Sequence, residues 1–213
     1  MIDNTGSLSW VARIGNEGGP LLICAAETFD DWTGAVFDAE WQLDPACDLA
    51  RAEAVLSPDD DEEEAGLLRF GPDGRHSGLV WQMDGGGVAE IATTGDGLLI
   101  MRSWVGREHE GPRRHVTTPG ARIGEVDDGE IDLPTGRVAV VWAAAPAAEV
   151  VRSSPDQLDL PELLNIGALT SVPPGRYRIG HGHHDGADGR YAPAGPPVGG
   201  DHSCRWIRLE RSA

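Results

Sequence analysis

The residues best suited to chemistry lie late in the chain. They form His181-Gly182-His183-His184-Asp185-Gly186-Ala187-Asp188-Gly189, with Asp201, His202 and Cys204 downstream. Imidazole and carboxylate groups are metal ligands, and on a strand the two-residue spacing would turn His181 and His183 to one side. A third ligand, His202, would then have to come across from the final strand. The glycines predict instead a flexible hairpin loop, which offers no rigid ligand shell. The expectation is that no metal or other cofactor is bound, with His181, His183 and His202 the weak candidates. No GxSxG elbow and no HExxH helix motif occurs. Cys47 has no histidine near it in sequence, and His109 and His115 flank Arg113-Arg114 in a polar stretch. Nothing nominates an enzyme.

A second group with chemical potential is the acidic run Asp59, Asp60, Asp61, Glu62, Glu63 and Glu64. Neighbouring carboxylates alternate in direction and do not converge on a cation without a turn residue such as the glycine of a calcium loop. The run therefore predicts a solvated loop that can contact a basic partner. The whole chain has the same bias: 35 acidic residues against 17 basic ones give a net charge of -18. That argues against nucleic acid and anionic membrane as partners, since both need basic surface. It suits a basic protein, whose approach it would accelerate. Seven Trp against two Tyr and three Phe make tryptophan the main aromatic of the core and, at Trp41, a candidate interface anchor.

The elements that must position these groups are mostly strands. With 29 Gly and 15 Pro, the 213 residues contain many turns, which predicts an α+β, mainly β fold with antiparallel sheets. One or two short helices are expected near residues 28–56. Trp10, Val11 and Ile14 read as a short strand, and Leu21-Leu22-Ile23-Cys24-Ala25 as a buried one. Gly18-Gly19-Pro20 between them reads as a tight hairpin turn. Thr28 suits an N-cap, with Asp30 and Asp31 in the first turn. Trp32 is then expected to be buried against the Leu21–Cys24 strand, with Gly34 ending the turn. Ala35 to Leu56 reads as helical, interrupted at Pro45, which suits a helical first turn.

From Leu67, strands alternate with Gly-rich turns as far as Val105. Arg107 to Asp128 reads as a loop, and Leu158 to Leu169 as a short helix or turn. An internal echo places Pro134-Thr135-Gly136-Arg137 and Pro173-Pro174-Gly175-Arg176 before two strands, as similar starts in one sheet system. Arg205 to Leu209 reads as a final strand. The division expected is 1–106 and 107–213, packed as one unit. Three widely spaced cysteines without a CxxC pair, and Met1 to Gly6 without signal-peptide features, predict a cytoplasmic chain. No apolar run approaches a membrane-spanning length.

One stretch, about residues 10 to 106, resembles the immunity protein 21 family of bacterial polymorphic toxin systems. The features that carry the resemblance are a Trp before Gly18-Gly19-Pro20-Leu21-Leu22-Ile23, then Trp32-Thr33-Gly34, then Asp44-Pro45-Ala46-Cys47, and later Gly97-Leu98-Leu99-Ile100-Met101-Arg102-Ser103-Trp104. It implies a protein that binds and blocks a cognate toxin, with Gly18, Gly19, Pro20, Trp32 and Gly34 as structural residues. An acid-rimmed, Trp-anchored face would cover the toxin's active site. The rival expectations are a metal-dependent protein using His181 to His202, or an accessory binding domain without catalysis.

Overall fold

The computed structural model describes residues 8–16, 18–57, 64–82, 87–103, 110–150, 152–153, 166–185 and 203–212. The chain forms, in order, β1 (Ser9–Asn16), β2 (Leu21–Ala25), α1 (Asp48–Leu56), β3 (Ala65–Phe70), β4 (His76–Trp81), β5 (Gly87–Thr93) and β6 (Gly97–Ser103). There follow α2 (Glu110–Val116), α3 (Pro119–Ile123), β7 (Val126–Leu133), β8 (Arg137–Trp142), β9 (Arg152–Ser153), β10 (Gly167–Ser171), β11 (Gly175–Asp185) and β12 (Ser203–Arg211). The strands build two six-stranded sheets, ordered β1-β5-β6-β12-β11-β7 and β3-β4-β2-β8-β10-β9. Pairing is antiparallel except where β9 joins β10. The fold is thus α+β and mainly β. Each sheet takes three strands from residues before 106 and three from residues after 107.

Three apolar clusters make a layered molecule. Between the sheets lie Ile14, Ile23, Trp81, Ile100, Val140 and Ile207, among others. The outer face of the second sheet packs Leu22, Val80 and Val141 against Phe29, Trp32 and Leu49. The outer face of the first packs Leu99, Met101 and Trp206 against Val116 of α2 and Ala121 of α3. This explains the unbroken apolar run of β2. Leu21, Ile23 and Ala25 face the central core while Leu22 and Cys24 face the outer one, so no position is left for a polar residue.

Several sequence expectations are corrected. β1 and β2 do not form a hairpin: β1 pairs with β5, and β2 with β4 and β8, in the other sheet. Gly18 and Gly19, at φ 125 and 77, turn the chain from one sheet to the other. Residues 35–46 are not helical. Helix α1 begins only after Cys47, whose Sγ accepts the Ala50 N–H as an N-cap, so Pro45 stands before the helix rather than in its first turn. Thr28 stands where expected, before a short 3-10 turn (Phe29–Asp31) with Asp30 and Asp31 in it, but makes no capping bond; its hydroxyl donates back to Ala25 O at 2.8 Å. The stretch expected as a loop from Arg107 holds α2 and α3, the latter capped by Thr118 with Pro119 in its first turn. Residues 167–169, expected in a short helix or turn, are strand.

The Pro-x-Gly-Arg echo marks strand starts in different sheets. β7 leads into β8 and β10 into β11, and each pair passes from one sheet to the other. Because β7 pairs with β11 and β8 with β10, the two crossings run side by side as one bent ribbon. At the bend, Val172 N–H donates to Gly136 O at 2.8 Å, and the Tyr177 hydroxyl donates to Pro173 O. Gly136, at φ 73, could not carry a side chain: a Cβ would stand 2.0 Å from Val172 O.

Trp32 is buried as the sequence predicts. Its ring packs edge-on to Phe70 with centroids 5.3 Å apart, and its indole N–H donates to Ala143 O at 2.9 Å. Trp32→Ala should cost about 3–5 kcal/mol of stability as a large core truncation. Urea denaturation monitored by far-UV circular dichroism measures it; an unchanged midpoint would contradict this packing.

Candidate interaction surface and the histidine mouth

Residues 35–46 form a hairpin-like loop closed by its own backbone. Ala35 N–H donates to Ala144 O at 2.9 Å, Asp44 N–H to Val36 O at 2.8 Å, and Phe37 bridges Leu43. At its tip, Asp38 acts as an internal cap. One carboxylate oxygen, Oδ1, accepts the N–H groups of Glu40 and Gln42 at 3.0 and 2.8 Å, and Asp38 O accepts that of Trp41 at 3.1 Å. Asp44 repeats the device at the exit, taking Ala46 N–H on Oδ1 at 2.8 Å. These local bonds compete with a helix and win, which is why the stretch departs from the helical expectation.

The loop is clamped at its base. Asp48, almost fully buried, accepts the Thr33 N–H and hydroxyl on Oδ2 at 2.7 and 2.8 Å, and Arg51 pairs with its other oxygen. Leu49 N–H donates to Gly34 O at 3.1 Å. Gly34, at φ 65, lies so close to the backbone of residues 144–146 that a Cβ would meet Pro146 N at 2.6 Å. Trp32, Thr33, Gly34 and Cys47 therefore build the platform from which the loop projects.

What the loop presents is apolar. Trp41 is 81% exposed, Phe37 51% and Val36 43%, with the two aromatic rings 6.1 Å apart. Trp41 also holds φ 59, an unfavourable value for a bulky residue that the Asp38 bonds sustain. Asp38, Glu40 and Asp44 belong to the same loop, and no basic residue occurs from Ile14 to Ala50.

The predicted histidine group lies elsewhere, at one end of the gap between the sheets. It is not a loop. Residues 181–185 continue β11, because β12 pairs with all five of them and β7 reaches as far as His181. His181 and His183 alternate with Gly182 and face the same way. His181 Nδ1 stands 2.7 and 2.9 Å from the two oxygens of Asp128, and Nε2 is 3.8 Å from Glu64. Glu64 is also 3.8 Å from His183 Nδ1 and 3.7 Å from Arg205 Nε. Glu64 is thus tied to this mouth and is not part of a solvated acidic loop. Asp59 to Glu63 and His202 lie outside the described residues. Among the described residues, no three His, Cys, Asp or Glu side chains are placed to hold a metal ion.

On the opposite face of the same strand, His184 stacks on His115 at 4.0 Å, and His115 in turn lies beside Trp206. There Glu125 Oε1 accepts the Trp206 indole N–H at 2.7 Å and Arg208 Nε at 2.8 Å, while Arg208 Nη2 donates to Val116 O at 2.9 Å. Glu90 accepts both arms of Arg113 at 2.7 and 3.0 Å, with Arg113 lying over the Trp10 ring. These buried pairs fasten α2 and α3 to the first sheet. Sequence reading missed them because their members are 23 to 92 residues apart. Gly182 was the one local sign: a Cβ there would stand 2.4 Å from the Trp206 ring.

The fold defines the class as a two-sheet, mainly β α+β protein. No protein-family model matches the chain, and no curated protein or solved structure matches it either. Among the described residues, no helix is long and apolar enough to cross a membrane.

The cysteines are free, and burial pushes the Cys24 and Cys204 thiols up to about 12. A thiol so far from its thiolate form at neutral pH is a poor nucleophile. Neither should react with a thiol reagent such as Ellman's at pH 8 until denaturant is added; rapid labelling of both in the native protein would overturn their placement.

Proposed function

We propose that the chain binds and blocks a basic toxin, in the manner of an immunity protein, by laying the Phe37–Trp41 face over it. One observation carries the reading. A stiff, locally capped loop holds two aromatic rings in water on a buried platform. Exposed aromatic side chains on a pre-organised element are the usual anchors of protein interfaces, since little ordering entropy remains to be lost on binding. The carboxylates of the loop and the net charge of -18 favour a cationic partner. The loop also lies within the stretch that resembles the immunity family.

The test is neutralisation. The tagged chain is used to capture its partner, and the captured protein is then expressed in a cell with and without the chain. Wild-type chain should restore growth and form a stoichiometric complex. Trp41→Ala should lose at least tenfold in affinity, as an anchor does, while Ile123→Ala, which alters another exposed apolar residue, should not. Equal rescue by Trp41→Ala would sink the assignment of this face.

A second reading has one observation in its favour. A histidine oriented by a carboxylate, as Asp128 orients His181, is what a metal site or a general base requires. Treatment with a chelator separates the two readings. An immunity-type protein should keep its melting temperature, whereas a drop of several degrees restored by zinc would favour the histidine mouth.

A further inference from the structure

The molecule contains a filled version of a site that the loop presents open. At α2, the Arg113 guanidinium lies 4.8 Å from the Trp10 ring centroid and grips Glu90 through two hydrogen bonds at 2.7 and 3.0 Å. Indole face, guanidinium and carboxylate form one unit. At the loop, an indole and carboxylates are present, and the cation is not. Among the described residues the one ring or cation contact of Trp41 is with Phe37. The Glu40 side chain, next in sequence, makes no hydrogen bond among the described residues. No Arg, Lys or His occurs from residue 14 to residue 50 to supply a cation locally.

We propose that Trp41 is the receptor for an arginine of the partner, stacked on the open face of the indole with its N–H groups turned to the Glu40 carboxylate. This rests on the reading of the loop as the binding face and adds the chemistry of what it takes. Arginine is favoured over lysine because a planar guanidinium stacks on an aromatic ring while its fork remains free for a carboxylate. Phe37, 6.1 Å away and tilted by 43°, is too close to Trp41 to admit a cation between them and serves as the wall that fixes the ring. Asp38 is committed to the loop's own N–H groups through Oδ1, so Glu40 is the carboxylate free to reorient.

The full chain, labelled with nitrogen-15, gives an indole N–H resonance for each Trp, and Trp41→Phe assigns that of Trp41 by its loss. Acetylated hexa-arginine amide is the probe, with hexalysine amide and a neutral Gly-Ser hexapeptide as controls. The arginine peptide should move the Trp41 resonance saturably and more than any other. Lysine should bind about two- to fivefold more weakly, and Glu40→Gln should weaken the arginine peptide by a similar factor, the range of an exposed cation–π contact. Shifts spread evenly over the indoles, or unaltered by Glu40→Gln, would mean adsorption to an acidic surface and would overturn the proposal. Equal affinity for lysine would overturn the guanidinium assignment. If the arginine peptide left Trp41 unmoved while Trp41→Ala still abolished neutralisation, the binding face would stand and the arginine receptor would fail.

Discussion

The buried carboxylate of Asp48 is the interaction on which the projecting face depends. It accepts the N–H and hydroxyl of Thr33 and pairs with Arg51. In doing so it ties the segment leaving the second sheet to the first turn of α1. The residues between, 34 to 47, become a closed loop whose two ends cannot part. A carboxylate so placed is tolerated only when its lone pairs are filled, and loss of one partner leaves an uncompensated charge. The clamp is therefore all-or-none, and the loop inherits its rigidity. Neighbouring packing reinforces it: Trp32 fills the outer core beneath, and Gly34 lets the chain pass against residues 144–146 where no side chain fits.

The rest of the architecture follows from how many faces must be covered. Two sheets bury a core between them, but β2 and β8 are apolar on both sides and the first sheet carries Met101 and Trp206 outward. Each outer face needs a lid. One is α1 with the segment around Phe29 and Trp32. The other is the α2–α3 pair, which packs Val116 and Ala121 on that face and is held by charged groups as well. Glu90 with Arg113, and Glu125 with Trp206 and Arg208, act as the fasteners.

Much of the fold was legible in residue order. The continuous apolar runs Leu21 to Ala25 and Leu98 to Met101 and the turn glycines all reported strands, and Trp32 reported its own burial. Pairing was not legible. Gly18-Gly19-Pro20 looks like a hairpin turn locally and is in fact a passage between sheets, because partner choice is decided by strands far away in sequence, β5 for β1 and β4 and β8 for β2. The candidate face was half legible. Trp41 stood out by type, but helix formers around it outweighed the Asp38 and Asp44 turns that shape it. The histidines were misjudged for a related reason. Glycine at 182 reads as flexibility, whereas it makes room for the Trp206 ring on the neighbouring strand.

The position of β12 has a consequence for how the chain comes to exist. It lies in the interior of the first sheet, bonded to β6 on one side and β11 on the other. Leu98, paired on one side with Thr93 of β5, finds its second partner only at Leu209. During synthesis, β1, β5 and β6 must therefore wait, with a long unpaired edge, for residues emerging about a hundred positions later. At a translation rate of roughly 5–20 residues per second that is an exposure of several seconds. Over that interval, like charge on neighbouring nascent chains opposes the pairing of their apolar strands.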